Sequence, residues 1–205
     1  MIIKRISTGM LGSNCYIIGG RTEGIVIDPG VRINEIVDEI NKLDLKIKYI
    51  LLTHSHIDHI LSVDKLRQTT GAKVGVHELD ASALDNERLN SSQTFGLNYK
   101  FEPADILLKD GDIIELDGLE IEVIHTPGHT PGGICIKIDK CLFSGDTLFR
   151  MSIGRTDFGN GDSDDLLRSI NGKLMKLDDS VIVYPGHGTM TTIGFERINN
   201  IYITG

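Results

Sequence analysis

A chain of 205 residues, 40% hydrophobic and 24% charged, is long enough for one large domain with its own core and short for two. A net charge of −8 and 5% aromatic content without Trp argue against a nucleic-acid partner, which needs cations for phosphates and rings for bases. No apolar run reaches the roughly 18 residues of a membrane span, and the N-terminus enters a strand pattern with no leader-like core, so a cytoplasmic protein without a membrane partner is expected.

Residues 2–6 and 15–18 read as strands joined by a turn over 9–14, and 24–27 as a third strand ending at Asp28-Pro29-Gly30. Asp28 reads first as a cap or turn former, and second as an acceptor that fixes the histidine loop further on. Ile33, Ile36, Val37, Ile40 and Leu43 recur at helical spacing. Residues 47–53 are apolar and β-prone, and they run into Thr53-His54-Ser55-His56-Ile57-Asp58-His59. That places four potential metal ligands in six positions, on a tight loop at the carboxyl end of a strand, where α/β proteins hold their sites. His54 and His56, one residue apart, point the same way in an extended chain, while Asp58 and His59 follow as the chain turns. Two adjacent ions can share ligands packed this closely.

A helix then runs to about Gly71, followed by a strand over 73–77 and a short helix over 78–84. His77 has no partner spacing and reads as a hydrogen-bonded or surface side chain. Residues 85–100 read as a long loop of the kind that forms lids. Strands over 106–108, 113–116 and 119–124 follow, with Asp110-Gly111 and Asp117-Gly118 as hairpin turns. Prolines and glycines around His129 hold it in a rigid loop, with His125 as a structural residue at the strand end. A hairpin of 134–138 and 141–144 delivers Asp146. In the glycine-rich stretch beyond, Arg155 either grips a substrate carboxylate through a bidentate fork or bonds to backbone or Asp157. A helix capped by Asp162 or Ser163 runs to about 176, and a strand over 181–184 ends in Pro185-Gly186-His187-Gly188. Thr192 caps a terminal helix, and Tyr184 and Phe149 read as core. Cys15, Cys135 and Cys141 lie in apolar runs without CxxC spacing and read as buried thiols.

The ordered set His54/His56/Asp58/His59, then His129, Asp146 and His187, resembles the metallo-β-lactamase superfamily. Asp146 stands where zinc β-lactamases often have a cysteine, and His56 where flavodiiron proteins have an acidic residue. TPGHTPGG (126–133), SGDTLF (144–149) and GRTDF (154–158) resemble the glyoxalase II group, the hydroxyacylglutathione hydrolases. PGHG with TTIGFERINN (191–200) is similar to its single-domain bacterial members.

The resemblance implies a four-layer αββα sandwich of α/β (α+β) class, with residues 1–205 as a single domain lacking the helical C-terminal glutathione-binding domain. It implies two divalent metal ions, zinc first, with iron or manganese as alternatives. His54, His56 and His129 would hold one ion, Asp58, His59 and His187 the other, and Asp146 would bridge them. The implied activity is hydrolysis of a small-molecule thioester such as S-lactoylglutathione. A hydroxide bridging ions about 3.5–4 Å apart would attack the acyl carbon, since metal lowers the pKa of water from about 15.7 to about 7. A thiolate, with a conjugate acid near pKa ~8.5, departs without a general acid. Asp58 is the candidate for proton handling besides ligation. The alternatives are a mononuclear-iron persulfide dioxygenase, a class that GRTDF also resembles, and a lactonase or esterase.

Overall fold

The structure is a computed structural model and describes residues 1–157 and 159–204. Its first sheet runs β1 (Ile2–Ile6), β2 (Cys15–Gly19), β3 (Glu23–Ile27), β4 (Lys46–Leu51), β5 (Lys73–His77) and β6 (Ile106–Leu108) in that spatial order. β1 to β3 pair antiparallel and β3 to β6 parallel. The parallel half needs crossovers: α1 (Ile33–Leu43) supplies the first, α2 (Ile57–Ile60) and α3 (Val63–Thr70) the second, and the 78–105 segment the third.

The second sheet contains β7 (Ile113–Leu116), β8 (Leu119–His125), β9 (Ile134–Ile138) and β10 (Cys141–Gly145). A separate hairpin of β11 (Leu148–Phe149) and β12 (Ser152–Ile153) follows. After α4 (Ser163–Gly172), the chain returns as β13 (Ile182–Pro185) and β14 (Thr191–Thr192), then α5 (Ile193–Asn199) and α6 (Ile201–Thr204). β13 lies parallel beside β10, so the sheet order is β14-β13-β10-β9-β8-β7.

Alternate residues of the strands fill different cores, as the two-residue period of a strand requires. Ile17 and Val26 pack with Ile36 and Ile40 of α1, whereas Ile18, Ile25 and Ile27 face Val123, Ile136 and Phe143 of the second sheet. On the far side Ile124, Cys135 and Leu142 meet Leu166 and Ile170 of α4 and Ile193 of α5. The layers are helix, sheet, sheet, helix: the αββα sandwich that the resemblance implied. Strands covered on both faces explain the near-continuous apolar runs in the sequence. All three cysteines are buried and free. Among the described residues no helix is long and apolar enough to cross a membrane.

Three local expectations are corrected. Asp110-Gly111 does not close a hairpin: β6 and β7 belong to different sheets, and this turn carries the chain between them. Asp117-Gly118 does close one, with φ of 48° and 83°. The helix expected past the ligand loop begins earlier, so Asp58 and His59 stand on the single turn of α2. The short helix expected over 78–84 is a 3-10 turn at Ala81–Ala83.

Candidate metal centre

The strand ends of the two sheets meet at one rim of the sandwich, and the polar side chains converge there. Nitrogens of His54, His56 and His129 lie within 4.8 Å of one another, as do donor atoms of Asp58, His59 and His187. His56 Nδ1 is 2.9 Å from His129 Nε2, and His59 Nε2 is 3.2 Å from His187 Nε2. Asp146 stands between the two trios. Its Oδ1 is 3.4 Å from His59 Nε2, and its Oδ2 is 3.6 Å from His129 Nε2 and 3.5 Å from His187 Nε2. The seven side chains expected as ligands are therefore brought together from four separate loops.

Hydrogen bonds fix which way the rings face. His129 donates Nδ1–H to the Arg155 carbonyl at 2.7 Å, and His59 Nδ1 sits 3.0 Å from Asp28 Oδ2. On a neutral imidazole, donation at Nδ1 leaves the Nε2 lone pair, here that of His129, aimed inward, and the Asp28 bond points His59 Nε2 the same way once its second proton is displaced. Thr53 Oγ1 donates to Asp28 Oδ2 at 2.6 Å and lies 3.1 Å from His54 Nδ1, which turns His54 the same way.

Asp28 is thus not the cap that sequence reading preferred. α1 starts after Arg32 without a side-chain cap, and Asp28, at φ 50°, turns back to the end of β4. Its oxygens lie close enough to His54 and His59 to count as a ligand, but they already accept from Thr53 N–H, Thr53 Oγ1 and His59. That commitment makes it a support for the rings.

Asp80, which sequence reading passed over, supports the other trio. Its Oδ2 accepts from Ser55 N–H at 3.1 Å and Thr130 Oγ1 at 2.9 Å, and its Oδ1 accepts from Gly132 N–H at 2.7 Å. One buried carboxylate so ties the His54–His56 loop to the His129 loop. A signal was present: an acid just past β5, at the same sheet end as Asp28 and the histidine loop. Ser13 and Asn14 were also missed. Ser13 Oγ donates to the Asp58 carbonyl at 2.7 Å, and Asn14 Nδ2 donates to the carbonyls of Pro185 and Gly188 beside His187. Gly186 is required by close approach, because a Cβ there would stand 2.3 Å from Asp146 Oδ1 and 2.7 Å from His59 Cε1.

Electrostatics divide the cluster. Burial pushes His54 well down and His56 down to about 3, with neighbouring histidines adding to it. Burial opposes charge on His59 too, but Asp58, Asp146 and Asp28 outweigh it and push this ring up to about 10. His187 is raised in the same manner, burial being overcome by Asp58 and Asp146. Asp58 is held down at about 2, its burial outweighed by His59 and His187, so at neutral pH it is an ionised acceptor with no proton to give.

Two buried atoms of the cluster, His54 Nε2 and Asp146 Oδ1, have no hydrogen-bond partner among the described residues. Each such orphan costs about 1–3 kcal/mol. Lone pairs left unpaired inside a ring of imidazoles and carboxylates fit a metal ion, and this donor chemistry suits zinc or iron.

A cavity of about 580 Å³ opens over the cluster, walled by Leu11, Phe95, Phe149 and Ile153 and floored by the candidate ligands. Phe149 therefore belongs to the cavity and not to the core as expected; the β11–β12 hairpin carries it outward, its ring 6.1 Å from that of His187. Tyr184 does pack in the inter-sheet core, stacked on Phe143. The 85–100 loop contributes Ser91, Thr94 and Phe95 and is pinned by buried Asn90, whose Nδ2 donates to the carbonyls of Leu84 and Tyr99. Arg155 reaches the cavity and pairs with Asp157 at 2.8 and 3.0 Å. Phe158 of the GRTDF segment lies outside the described residues. His77 and His125 stand apart from the cluster, stacked on each other at 3.9 Å, with His125 Nε2 2.9 Å from the Pro131 carbonyl.

Known proteins are similar to this chain in sequence and fold. Hydroxyacylglutathione hydrolase GloC of Haemophilus influenzae is 38% identical over 209 residues, spanning 99% of this chain and 98% of its own. The crystal structure of BLEG-1, a B3 metallo-beta-lactamase, superposes with a TM-score of 0.94 at 38% identity over 100% of both chains. TTHA1623 in a di-iron-bound form gives 0.86 at 32% identity, over 97% of this chain and 99% of that one. ETHE1 from Myxococcus xanthus gives 0.82 at 29%, over 98% and 84%. The family profile described as Metallo-beta-lactamase superfamily matches residues 8–187. On that match, which takes in all seven candidate ligands, the chain belongs to the metallo-beta-lactamase superfamily of metallo-hydrolases.

Proposed function

We propose that the chain is a binuclear metal-dependent hydrolase of small thioesters, of the hydroxyacylglutathione hydrolase type. The observation that carries this reading is the convergence of two ligand trios on Asp146, with orphaned lone pairs on His54 and Asp146 among them and a cavity opening over the cluster. In this reading His54, His56 and His129 hold one ion, Asp58, His59 and His187 hold the second, and Asp146 serves both. When bound, two divalent ions supply Lewis acidity and a water acidic enough to ionise near neutral pH.

The chain's own residues do the rest. Asp28 keeps the His59 ring aimed inward, Asp80 ties the His54–His56 loop to the His129 loop, and the apolar wall keeps bulk water from the acyl group. In this reading Asp58 is committed as a ligand, so a leaving group that needs no proton fits this site best. A thiolate meets that requirement, whereas an amide nitrogen does not. The likeness to GloC supports the same class. The substrate partner is accordingly a small molecule, with neither nucleic acid nor membrane involved.

The test is a panel of thioesters, lactones and persulfides, with metal quantified in the same preparation. Thioester turnover with about two ions per chain and no oxygen uptake is expected. One iron per chain with oxygen consumed on a persulfide overturns the proposal.

A further inference from the structure

We propose that Glu196 is a positioning residue for the substrate-facing wall: from α5 it grips the turn of the β11–β12 hairpin and so fixes Phe149 and Ile153 over the metal centre. In its kinetic consequence this rests on the hydrolase reading above. The TTIGFERINN segment (191–200) supplies none of the seven candidate ligands, yet it buries both Glu196 and Asn200 completely. A carboxylate is seldom enclosed in this way unless its oxygens are bonded. Here Oε1 accepts from Thr191 Oγ1 at 2.5 Å, and Oε2 accepts from Asn200 Nδ2 and from the Met151 N–H, both at 2.8 Å.

The Met151 bond leads to the cavity. β11 and β12 have two residues each and belong to neither large sheet. An isolated two-stranded hairpin is marginally stable at best, so what grips this one sets its position. At its base Ser144 Oγ donates to the Leu148 carbonyl at 2.8 Å. At its tip, residues 150 to 152 each meet the C-terminal segment. The Arg150 guanidinium lies 5.1 Å over the Phe195 ring, Met151 donates to Glu196, and the Ser152 carbonyl accepts from Asn200 Nδ2 at 3.1 Å. Met151 stands at φ 57°, where non-glycine residues seldom go, and its side chain is exposed. Glu196 therefore holds the backbone of the turn and not a packed side chain. Phe149, Ser152 and Ile153 of the same hairpin line the cavity.

The experiment compares Glu196→Ala and Glu196→Gln by two readouts on the metal-loaded protein. The chain has no Trp, so Phe149→Trp places a single fluorophore on the wall. Glu196→Ala is expected to make that indole more accessible to acrylamide. On the Phe149 parent it should raise the KM for S-lactoylglutathione about tenfold, the scale set by one apolar group in a fitting pocket, with kcat and ion content kept. Glu196→Gln should restore both readouts, because its amide oxygen can accept from Met151 and Asn200 while its NH2 donates to the Thr191 hydroxyl. Glu196→Ala should add nothing to the KM of Phe149→Ala, since it acts through that ring. Should Glu196→Ala fail to fold, Asn200→Ala, which removes the Ser152 bond, is read in the same way. An unchanged KM, a fall in kcat and ion content in place of KM, or equal loss in the Ala and Gln variants overturns the inference. No thioester turnover by parent protein holding its ions overturns the hydrolase reading instead, and acrylamide quenching alone then decides: greater accessibility in Glu196→Ala upholds the clamp, and unchanged accessibility overturns it.

Discussion

The two halves of the metal centre use the same side chain and hold it in opposite states. In the three-histidine half, rings pack on rings, with centroids 4.8 Å apart for His54 and His129 and 4.7 Å for His56 and His129. Burial there keeps His54 and His56 neutral. In the other half, three carboxylates face His59 and hold it charged in spite of complete burial. The supporting aspartates explain the contrast. Asp28 places an oxygen directly on His59 Nδ1, whereas Asp80 directs its oxygens to the N–H and O–H groups of Ser55, Thr130 and Gly132. The first half therefore offers lone pairs at neutral pH, and the second already binds a cation, the proton, that an incoming ion must displace.

Removing the residue that both halves share should have the largest effect. Asp146→Ala is expected to lower turnover more than a hundredfold, beyond the 10–100-fold that loss of a supporting residue costs, and to reduce the ions retained by both halves. Elemental analysis after dialysis and thioester kinetics read this together. Retention of one full-strength ion would mean that Asp146 serves one half only.

The supports should separate the halves. Asp28→Asn is expected to weaken the ion held by His59 by about 10–100-fold, and Asp80→Asn the ion held by His54, His56 and His129 by a similar factor. Chelator competition on His129→Ala and His187→Ala backgrounds, each leaving one half intact, measures them separately. Equal loss at both halves from either support variant would break the comparison. Gly132→Ala should mimic Asp80→Asn, because its Cβ would lie 2.6 Å from Asp80 Oδ1.

How far the sequence spoke for this centre depends on whether ligation was written in local spacing. The seven candidate ligands were legible because each stands at a strand end or in the HxHxDH loop, where spacing and Gly/Pro punctuation mark it. The four layers were legible because strands covered on both faces need unbroken apolar runs. The supports were not. Asp28 and Asp80 act through partners about 25 to 50 positions away, and no local pattern distinguishes a carboxylate that orients a ring from one that caps a helix. Phe149 was misplaced for a related reason: an aromatic in an apolar run reads as core until an unexpected two-strand hairpin turns it outward. Asp110-Gly111 has the residues of a hairpin turn, but only the pairing of β7 with β8 decides which sheet the chain enters.

The charge difference itself can be measured through protons. At pH 7 His59, raised from its ordinary value to about 10, carries a proton in the ion-free protein, so ion uptake by its half, which also holds the raised His187, should release at least one. His54 and His56 are shifted the other way, so uptake by their half should release none from these rings. Titrating zinc into the His129→Ala and His187→Ala proteins, in two buffers of different ionisation enthalpy, gives each count. The release in the carboxylate half should fade as pH rises through about 10, and equal counts at pH 7 would remove the contrast.

The smallest effect expected tests whether a carboxylate needs the centre's cations to be held in its charged form. Asp117 lies far from them, in the β7–β8 turn, and its Oδ2 accepts from the N–H groups of Arg21, Thr22 and Glu23 at 2.6, 2.7 and 3.1 Å. Those backbone bonds, Thr22 first, hold it at about 2. Because the folded value is depressed, its contribution to stability is complete above the unfolded value of about 3.9 and fades as pH falls toward the folded one. Asp117→Asn tolerates the same left-handed backbone and removes only the charge. Its denaturation midpoint should fall slightly below that of the parent protein at pH 7 and rejoin it near the folded value, with metal content unchanged. A gap that persists in acid would show that the turn is held by shape and not by the carboxylate's charge.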